Sequence, residues 1–430
     1  MPMLYASGEG LNLLARARVL AHAIGNPGTE ALYPESYLWD GRPALPTRFL
    51  GAMNFGVDLA AWSNGDFETW ADTDDATGWT FDSLGGTATL TQEGTIKNSG
   101  AFSAAINGGT NGARLFRTFL VRAGEKRRLL SALRSDGTAN GITVRLVSER
   151  TGRSLAAGGA SWAASTATRV FSQTAAAWAS NAVNYQVESL ARCGQRGLVT
   201  LRLEIHVEPG VLAYVDDTED FPGADLASAH GLLCEDKAEF AWFLSDDGTG
   251  GDSTMTAGSA ANGFGVDQIP NLYLRRPATV YRRWHHFQVG SDEMAPELGE
   301  LVLCQVNETA TMADWGTELR RVEANIRNEV GDGDAQAFGH ARWPRSGYVF
   351  RWQHAERSSG AAAASMREAR DEFWGRSRGG RHTILIVPRT DENHVHLVRA
   401  EDDWSLRRQF NVYADNEQLL MELPFPSDAR

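Results

Sequence analysis

The chain has 430 residues, of which 42% are hydrophobic and 22% charged, a balance typical of a globular protein with two or three domains. Its formal net charge of −13 would repel phosphate backbones, so we expect no nucleic-acid partner. No apolar run is long enough to span a membrane, and Arg16 and Arg18 interrupt the first apolar stretch, so neither a membrane span nor a cleaved signal peptide is predicted.

Near the N-terminus, apolar residues between Leu11 and Ile24 recur at helical spacing. They predict a short amphipathic helix, with a strand as the alternative. The next segment, Tyr33 to Pro43, contains two prolines and the turn pair Asp40-Gly41. It is interpreted as an ordered, aromatic-rich loop.

The pattern changes between Leu59 and Asp217, where short alternating runs are separated by clusters of glycine, asparagine, serine and threonine. Strands that recur about every 8–12 residues indicate a sandwich or a barrel. The clearest runs are Thr87–Thr91, Arg114–Val121, Gly141–Ser148, Asn184–Glu188 and Leu198–Val207. We therefore predict a β-sandwich domain over residues 57–221, between an N-terminal part, 1–56, and a C-terminal remainder, 222–430.

The C-terminal remainder is predicted to be mostly strands. Residues 223–265 are interpreted as a long acidic, glycine-rich connection. Apolar residues from Met312 to Val330 recur every three or four positions, with Thr311 as a candidate N-cap, and predict a helix. A second helix is predicted over Gly360–Arg376. The fold class is therefore all-β, with multi-domain, jelly-roll-like β-sandwiches and two minor helices. The predicted strands are Thr279–Trp284, His286–Val289, Gly299–Val306, His382–Val387, Val395–Ala400 and Phe410–Leu423.

The three cysteines, Cys193, Cys234 and Cys304, are far apart and odd in number. They predict free buried thiols rather than a disulfide framework or a metal site. His394 and His396 alternate along a strand, which is more typical of a sheet surface than of a metal site.

Two motifs at the ends of the central domain resemble a known family. Asn64-Gly65-Asp66-Phe67-Glu68, followed by Gly78-Trp79-Thr80, resembles the first strand and turn of the lectin-like carbohydrate-binding modules of the β-sandwich type. Tyr214-Val215-Asp216-Asp217 resembles their last strand. The chain departs from that pattern at Lys126-Arg127, where the family often has a tyrosine.

The resemblance implies a structural Ca²⁺ that joins the first strand to the last, and the matching residues are Glu68 and Asp216. Hard cations prefer several oxygen ligands, so these carboxylates fit the requirement. The alternative is that both are exposed carboxylates at strand ends.

Sugar binding needs exposed aromatic faces, and the candidates in this domain are Trp70, Trp162 and Trp178. The fourth tryptophan, Trp79, matches a position at the core edge of the family, so we expect it to pack. Each candidate can equally be a core residue, and a sandwich of this type can be purely structural.

The outer segments resemble tail and tail-tip proteins of bacteriophages. The resemblance rests on Leu38-Trp39-Asp40-Gly41-Arg42-Pro43 and on the order of motifs from Trp343 to Leu423. It implies that 1–56 and 222–430 fold together, with the sandwich as an outward-facing insertion.

No nucleophile elbow, zinc-protease motif or phosphate-binding loop is present, so no catalytic residue and no enzyme is predicted. The sequence favours a virion structural protein that forms homo-oligomeric rings with other tail or baseplate subunits and contacts cell-surface glycan. The alternatives are a secreted polysaccharide-active enzyme and a lectin-like adhesin.

Overall fold

The computed structural model describes residues 4–7, 17–19, 47–48, 53–164, 168–188, 198–230, 238–245, 256–257, 272–291, 297–298, 300–308, 318–322, 325–330, 334–339, 345–350, 384–387, 396–400, 406–409, 412–415 and 418–422. The chain divides into two compact units. The inner unit is Leu59–Gly223, against the limits of 57 and 221 predicted from the sequence. The outer unit combines Met1–Asp58 with Ala224–Arg430.

All described regular elements are strands. Those before the inner unit are β1 (Leu4–Ser7), β2 (Ala17–Val19), β3 (Thr47–Arg48) and β4 (Met53–Asp58). Those of the inner unit are β5 (Trp70–Asp72), β6 (Asp75–Ala76), β7 (Thr80–Asp82), β8 (Thr89–Glu93), β9 (Ser103–Asn107), β10 (Ala113–Arg122), β11 (Lys126–Arg134), β12 (Ile142–Ser148), β13 (Ser154–Leu155), β14 (Trp162–Ala163), β15 (Phe171–Gln173), β16 (Ala179–Gln186), β17 (Leu198–Val207) and β18 (Leu212–Pro222).

The remaining strands belong to the outer unit. They are β19 (Ala224–His230), β20 (Ala238–Ser245), β21 (Thr256–Ala257), β22 (Leu272–Val280), β23 (Trp284–Ser291), β24 (Glu297–Leu298), β25 (Glu300–Cys304), β26 (Val306–Glu308), β27 (Glu318–Val322), β28 (Asn325–Val330), β29 (Asp334–Gly339), β30 (Arg345–Phe350), β31 (Ile384–Val387), β32 (His396–Ala400), β33 (Leu406–Gln409), β34 (Val412–Asp415) and β35 (Gln418–Glu422).

In the outer unit, strands from both sides of the inner unit pair with each other. A seven-stranded sheet has the order β26-β1-β31-β32-β35-β30-β27, and a five-stranded sheet has the order β2-β4-β23-β20-β21. Strand β19 lies between β22 and β25 in a third sheet. The two separate stretches of the outer unit therefore share backbone hydrogen bonds.

The inner unit is a sandwich of two antiparallel sheets. One has the order β14-β13-β12-β17-β10-β7, with β15 also paired to β12, and the other has the order β16-β11-β18-β9-β8. Because side chains alternate across a strand, each sheet sends every second residue inward. Leu115, Val144 and Ile205 from the first sheet and Ile106 and Val215 from the second are fully buried in one shared core.

The first and last segments of the inner unit lie side by side. The backbone N–H of Ala61 donates to the carbonyl oxygen of Asp220 at 2.7 Å. The N–H of Gly223 donates to the carbonyl oxygen of Lys126 at 2.9 Å. A domain whose two ends lie close together can be inserted into another without breaking the strand pairing of its host.

A buried ionic cluster, the interior cluster, joins three strands of the inner unit's β16-β11-β18-β9-β8 sheet. Arg127 on β11 pairs through Nε with Asp220 on β18 at 2.5 Å and through a terminal nitrogen with Glu125 at 2.7 Å. The hydroxyl of Tyr185 on β16 donates to the second oxygen of Asp220 at 2.7 Å. Asp220 is fully buried, so its hydrogen bonds replace the water that folding removes.

The all-β prediction is confirmed, whereas the helix predicted from Met312 to Val330 is wrong in its described part. Glu318–Val322 pairs with β30, and Asn325–Val330 forms a hairpin with β29. Strand pairing overrides the helical spacing there. The second predicted helix lies outside the described residues.

Three other expectations are corrected. Ala17–Val19 is a strand paired with β4, which is the alternative for the N-terminal segment rather than the helix. The predicted connection over 223–265 contains β19 and β20. The strand predicted over Phe410–Leu423 is divided into β34 and β35.

In the outer unit, two adjacent histidines of β23 are buried. Nδ1 of His285 accepts a hydrogen bond from Nε1 of Trp242 at 3.0 Å, and burial lowers the pKa of His285 to about 3. Cys304 is half-buried and forms no disulfide with a described residue, and the other two cysteines lie outside the described residues. None of the elements in the described ranges is a long apolar helix of the kind that spans a bilayer.

Candidate functional site

The two residues predicted to bind calcium both hold the loop between β8 and β9. Glu68 Oε1 accepts hydrogen bonds from the amides of residues 101 and 102 at 2.7 and 3.1 Å. Asp216 Oδ2 accepts from the amides of residues 98 and 99 at 2.9 and 3.1 Å. At Gly100, which has φ of 57°, a Cβ would meet Oε1 of Glu68, so the loop needs glycine there.

The carboxyl group of Asp216 is fully buried beside a second acidic residue. Burial and the charge of Asp217 raise the pKa of Asp216 to about 6, although hydrogen bonds from the amides of Ser99, Asn98 and Asp217 oppose the rise. A charged Asp216 is therefore costly unless more positive charge is supplied.

These residues meet the requirements of calcium only in part. Glu68 and Asp216 supply oxygen atoms, but backbone N–H groups already point at the oxygens named above. Within the described ranges, no three His, Cys, Asp or Glu side chains are grouped as a metal site would require. The arrangement as it stands stabilises the loop through hydrogen bonds, and calcium binding stays a prediction.

The structure places the three candidate sugar-binding tryptophans at separate points of the inner unit. Trp70 is half-buried, donates from Nε1 to the carbonyl of Phe67 at 2.5 Å and packs against the core. Trp178 is half-buried between β15 and β16 and has no hydrogen bond or ring contact to any described residue. Sugar binding by these side chains stays a prediction.

Trp162 covers the β16 edge of the inner unit's five-stranded sheet. Its Nε1 donates to the carbonyl of Gln186 on the edge strand β16 at 2.9 Å, and its ring meets Tyr185 edge-on at 6.3 Å. An edge strand with free carbonyl groups can pair with another chain, so this contact also protects the edge.

Trp79 packs in the core, as predicted. It is 7% exposed, stacks on Phe67 at 5.0 Å and meets Trp62 edge-on at 6.3 Å. The guanidinium of Arg117 lies 5.0 and 5.1 Å from the rings of Trp62 and Trp79. The rings of Trp62 and Trp79 therefore contact other side chains of the protein instead of a ligand.

A polar site that the sequence analysis missed lies in the inner unit, on the outer surface of the sheet that contains β10, β12 and β17. It consists of Arg114, Arg145, Arg202 and His206 around Glu204, and we name it the arginine face. The register places Arg114 opposite His206, and Glu204 opposite Arg145. Their sequence neighbours on β10, β12 and β17, such as Leu115, Val144 and Leu203, are fully buried in the core. Because side chains alternate along a strand, the polar set faces outward.

Glu204 is the centre of the arginine face and is only 2% exposed. One carboxylate oxygen, Oε1, lies 2.7 Å from Nε of Arg202 and 3.4 Å from Arg114. The other, Oε2, lies 2.9 Å from Nε2 of His206 and 3.3 Å from Arg145. A single buried carboxylate thus orients four cationic or polar side chains from three strands.

The electrostatics favour an ionised Glu204. Burial alone would raise the pKa of Glu204, but the hydrogen bond from His206 and the charges of His206, Arg202 and Arg145 lower it to about 2. The charged form is therefore the state of this residue throughout the physiological range.

Two further carboxylates and one aromatic ring flank the face. Asp82 on β7 pairs with Arg114 at 2.7 Å, and Glu149, just after β12, pairs with Arg202 at 2.5 Å. The Arg114 guanidinium lies 4.9 Å from the centroid of the half-buried Phe116 ring. Planar donors and acceptors in a fixed array beside an apolar ring can bind the hydroxyl groups and C–H surface of a polar ligand.

The sequence carried a signal for this face. Polar residues alternate with apolar ones in Thr200 to His206 and in Thr143 to Arg145. This alternation does not predict the site, because only the strand register brings the polar residues of β10, β12 and β17 together.

No protein-family model and no curated protein matches this chain. Among solved structures, it is similar to a CBM4 carbohydrate-binding structure at 16% identity, over 37% of this chain and 98% of that one, with a TM-score of 0.24. It is similar to the CBM22-1 xylan-binding domain from Paenibacillus barcinonensis at 13% identity, over 38% and 95%, with a TM-score of 0.27.

A third similar structure is the enzymatically active domain of tailspike protein 4 of bacteriophage CBA120. The identity is 14%, over 38% of this chain and 21% of that one, with a TM-score of 0.27. At these scores the likenesses add nothing to the β-sandwich that the strand pairing itself establishes.

Proposed function

We propose that the inner unit binds glycans and that the arginine face is its binding surface. The observation that carries the proposal is the fixed array of Arg114, Arg145, Arg202 and His206 on the buried Glu204. Neighbouring side chains of this kind can bind adjacent hydroxyl groups of a sugar. Because Glu204 already orients these side chains, the entropic cost of association is lower. No catalytic step is proposed for the face, and its role is recognition.

The binding test is affinity electrophoresis of the full chain in gels that contain a panel of bacterial and plant polysaccharides. We expect at least one polysaccharide to retard the protein and Arg202→Gln to reduce that retardation. The matched control is Arg153→Gln, because Arg153 is 52% exposed and pairs with Glu188 instead of the arginine face.

The variant Trp178→Ala tests whether the sugar binds at this tryptophan instead of at the arginine face. If Trp178→Ala abolishes retardation and Arg202→Gln leaves it intact, the binding surface lies at the tryptophan and the proposal is wrong. A reducing-sugar assay on the same panel tests the alternative of a polysaccharide-active enzyme.

We further propose that the whole chain is a structural protein of a phage tail or tail tip, located in the virion, in which the outer unit assembles and the inner unit contacts the host surface. The support is the sequence resemblance of the outer segments, together with inner-unit ends that lie side by side as an insertion requires. Many weak copies on a ring would gain avidity.

The assembly proposal is tested with antibodies against the purified protein. We expect immunogold label at the tail tip of particles and ring-shaped oligomers in negative stain. Monomers alone, together with unlabelled particles, would remove the assembly role but leave glycan binding untouched.

A further inference from the structure

The arginine face brings three guanidinium groups and an imidazole to the surface of a chain that is acidic overall. The side chains of Arg114, Arg145, Arg202 and His206 are 18–29% exposed, whereas Glu204 is 2% exposed. Glu204 lies below these groups, whereas Asp82 and Glu149, 36% and 35% exposed, balance Arg114 and Arg202 at the surface itself. Within the described part of the chain, Arg145 is therefore the arginine of the face that pairs only with the buried carboxylate.

Arg145 is held less tightly than the other two arginines and has no second carboxylate among the described residues. Arg114 and Arg202 each make a short ion pair with a second carboxylate, at 2.7 and 2.5 Å. The contacts of Arg145 within the described residues are longer, 3.3 Å to Glu204 and 3.5 Å to Ser154. A guanidinium carries five N–H groups in a planar fork that matches a carboxylate.

Aromatic stacking has a small part on this surface. The ring of Phe116 is half-buried and has the Arg114 guanidinium over it. The described tryptophans of the inner unit pack in the core or lie on elements other than β10, β12 and β17. Recognition therefore depends on charge and hydrogen bonds more than on an apolar platform.

We infer that the arginine face takes a glycan bearing carboxylate groups, a polysaccharide of the uronic-acid class. This inference rests on the proposed glycan binding and narrows it to one ligand class. The sugar carboxylate pairs with the guanidinium of Arg145, and its neighbouring hydroxyls bind His206 and Arg114. The buried Glu204 holds these side chains in place and acts as a positioning residue.

The test compares a polyuronate with its uncharged ester and with other acidic polysaccharides. The full chain is run in gels that contain polygalacturonate, the same polymer with its carboxyl groups methyl-esterified, alginate, or a sulfated galactan. We expect a polyuronate to retard the protein. Binding to its methyl ester should be weaker by about tenfold or more, because a charge-assisted hydrogen bond is lost. Retardation should also fall as salt is raised.

Variants locate the effect. Arg145→Gln is expected to weaken polyuronate binding about tenfold, since its side chain keeps most of the packing but loses the charge. Arg153→Gln, the exposed control, should bind as the parent does. Polyuronate binding that survives Arg145→Gln overturns the inference.

The other outcomes separate this inference from the broader function. Equal retardation by the acid and its ester overturns the ligand class but leaves glycan binding standing. Equal retardation by the sulfated galactan means general anion binding and also overturns it. A protein that no gel retards removes both proposals.

Discussion

Two arginine–carboxylate clusters of the inner unit use the same chemistry at different depths. In the interior cluster, Arg127 is 6% exposed and Asp220 is fully buried. In the arginine face, Arg114 and Arg202 are 27% and 29% exposed around the buried Glu204. Arg127 and Asp220 of the first cluster are enclosed by the protein, whereas the arginines of the second keep part of their side chains at the surface.

The pKa values follow the same division. Burial alone would lower the pKa of Arg127, but the charges of Asp220 and Glu125 raise it, so the guanidinium stays charged inside the protein. The pKa of Glu204 is instead lowered to about 2 by a set of neighbours that solvent can reach. Depth thus decides whether the ion pairs are enclosed by the protein or stay within reach of solvent.

The largest expected effect comes from breaking the interior cluster. Asp220→Ala leaves Arg127 buried without its closest counter-charge, which costs about 3–5 kcal/mol. Hydrogen exchange of the β11 amides should report this loss as a lower opening free energy. The control is Asp74→Asn, an exposed carboxylate whose replacement should change the same amides little. Unchanged protection in Asp220→Ala would mean that the cluster carries no stability.

The second prediction concerns pH and the arginine face. The folded pKa of Glu204 lies below its ordinary value of 4.5, so its contribution is full above pH 4.5 and is lost as pH falls toward 2. The loss is at most about 3 kcal/mol. Hydrogen exchange of the β17 amides, corrected for intrinsic rates, should show it.

In Glu204→Gln the slope between pH 4.5 and 2 should flatten. The matched control is Glu149→Gln, because Glu149 also pairs with Arg202 but is 35% exposed. Its slope should stay close to that of the parent. An identical slope in parent and Glu204→Gln would show that the arginine face adds nothing to stability.

The smallest expected effect distinguishes stabilisation of the loop by the hydrogen bonds of Glu68 from stabilisation by bound calcium. Glu68→Ala removes the acceptor of two amide hydrogen bonds and should cost about 1–3 kcal/mol. Melting of parent and variant is measured with and without a chelator. If calcium binds, the chelator lowers the melting temperature of the parent more than that of the variant. A chelator that shifts the melting temperature of neither protein would rule out the metal.

Some elements could be predicted because their signal is local. Leu198–Val207 was predicted and found as β17, since apolar and polar residues alternate there from Val199 onward. The packing of Trp79 was also predicted correctly from its motif. The helix from Met312 to Val330 failed because a three-to-four spacing of apolar residues also fits two short strands whose partners lie elsewhere in the chain.

The candidate site shows the same limit more sharply. Glu68 and Asp216 were singled out together, and both do hold one loop, although through backbone amides. Glu204 was passed over because nothing in its own segment marks it as buried. Its importance depends on Arg114, 90 residues earlier in the chain.

The sequence by itself determined the strand-rich character of the chain and the alternation that turns one side of each strand inward, because both depend on neighbouring residues. Only the tertiary structure decided which polar residues meet. Register between β10, β12 and β17 brings three arginines onto Glu204, and pairing of β11 with β16 and β18 encloses Arg127 with Asp220. Such pairings depend on contacts between distant parts of the chain, which local patterns do not encode.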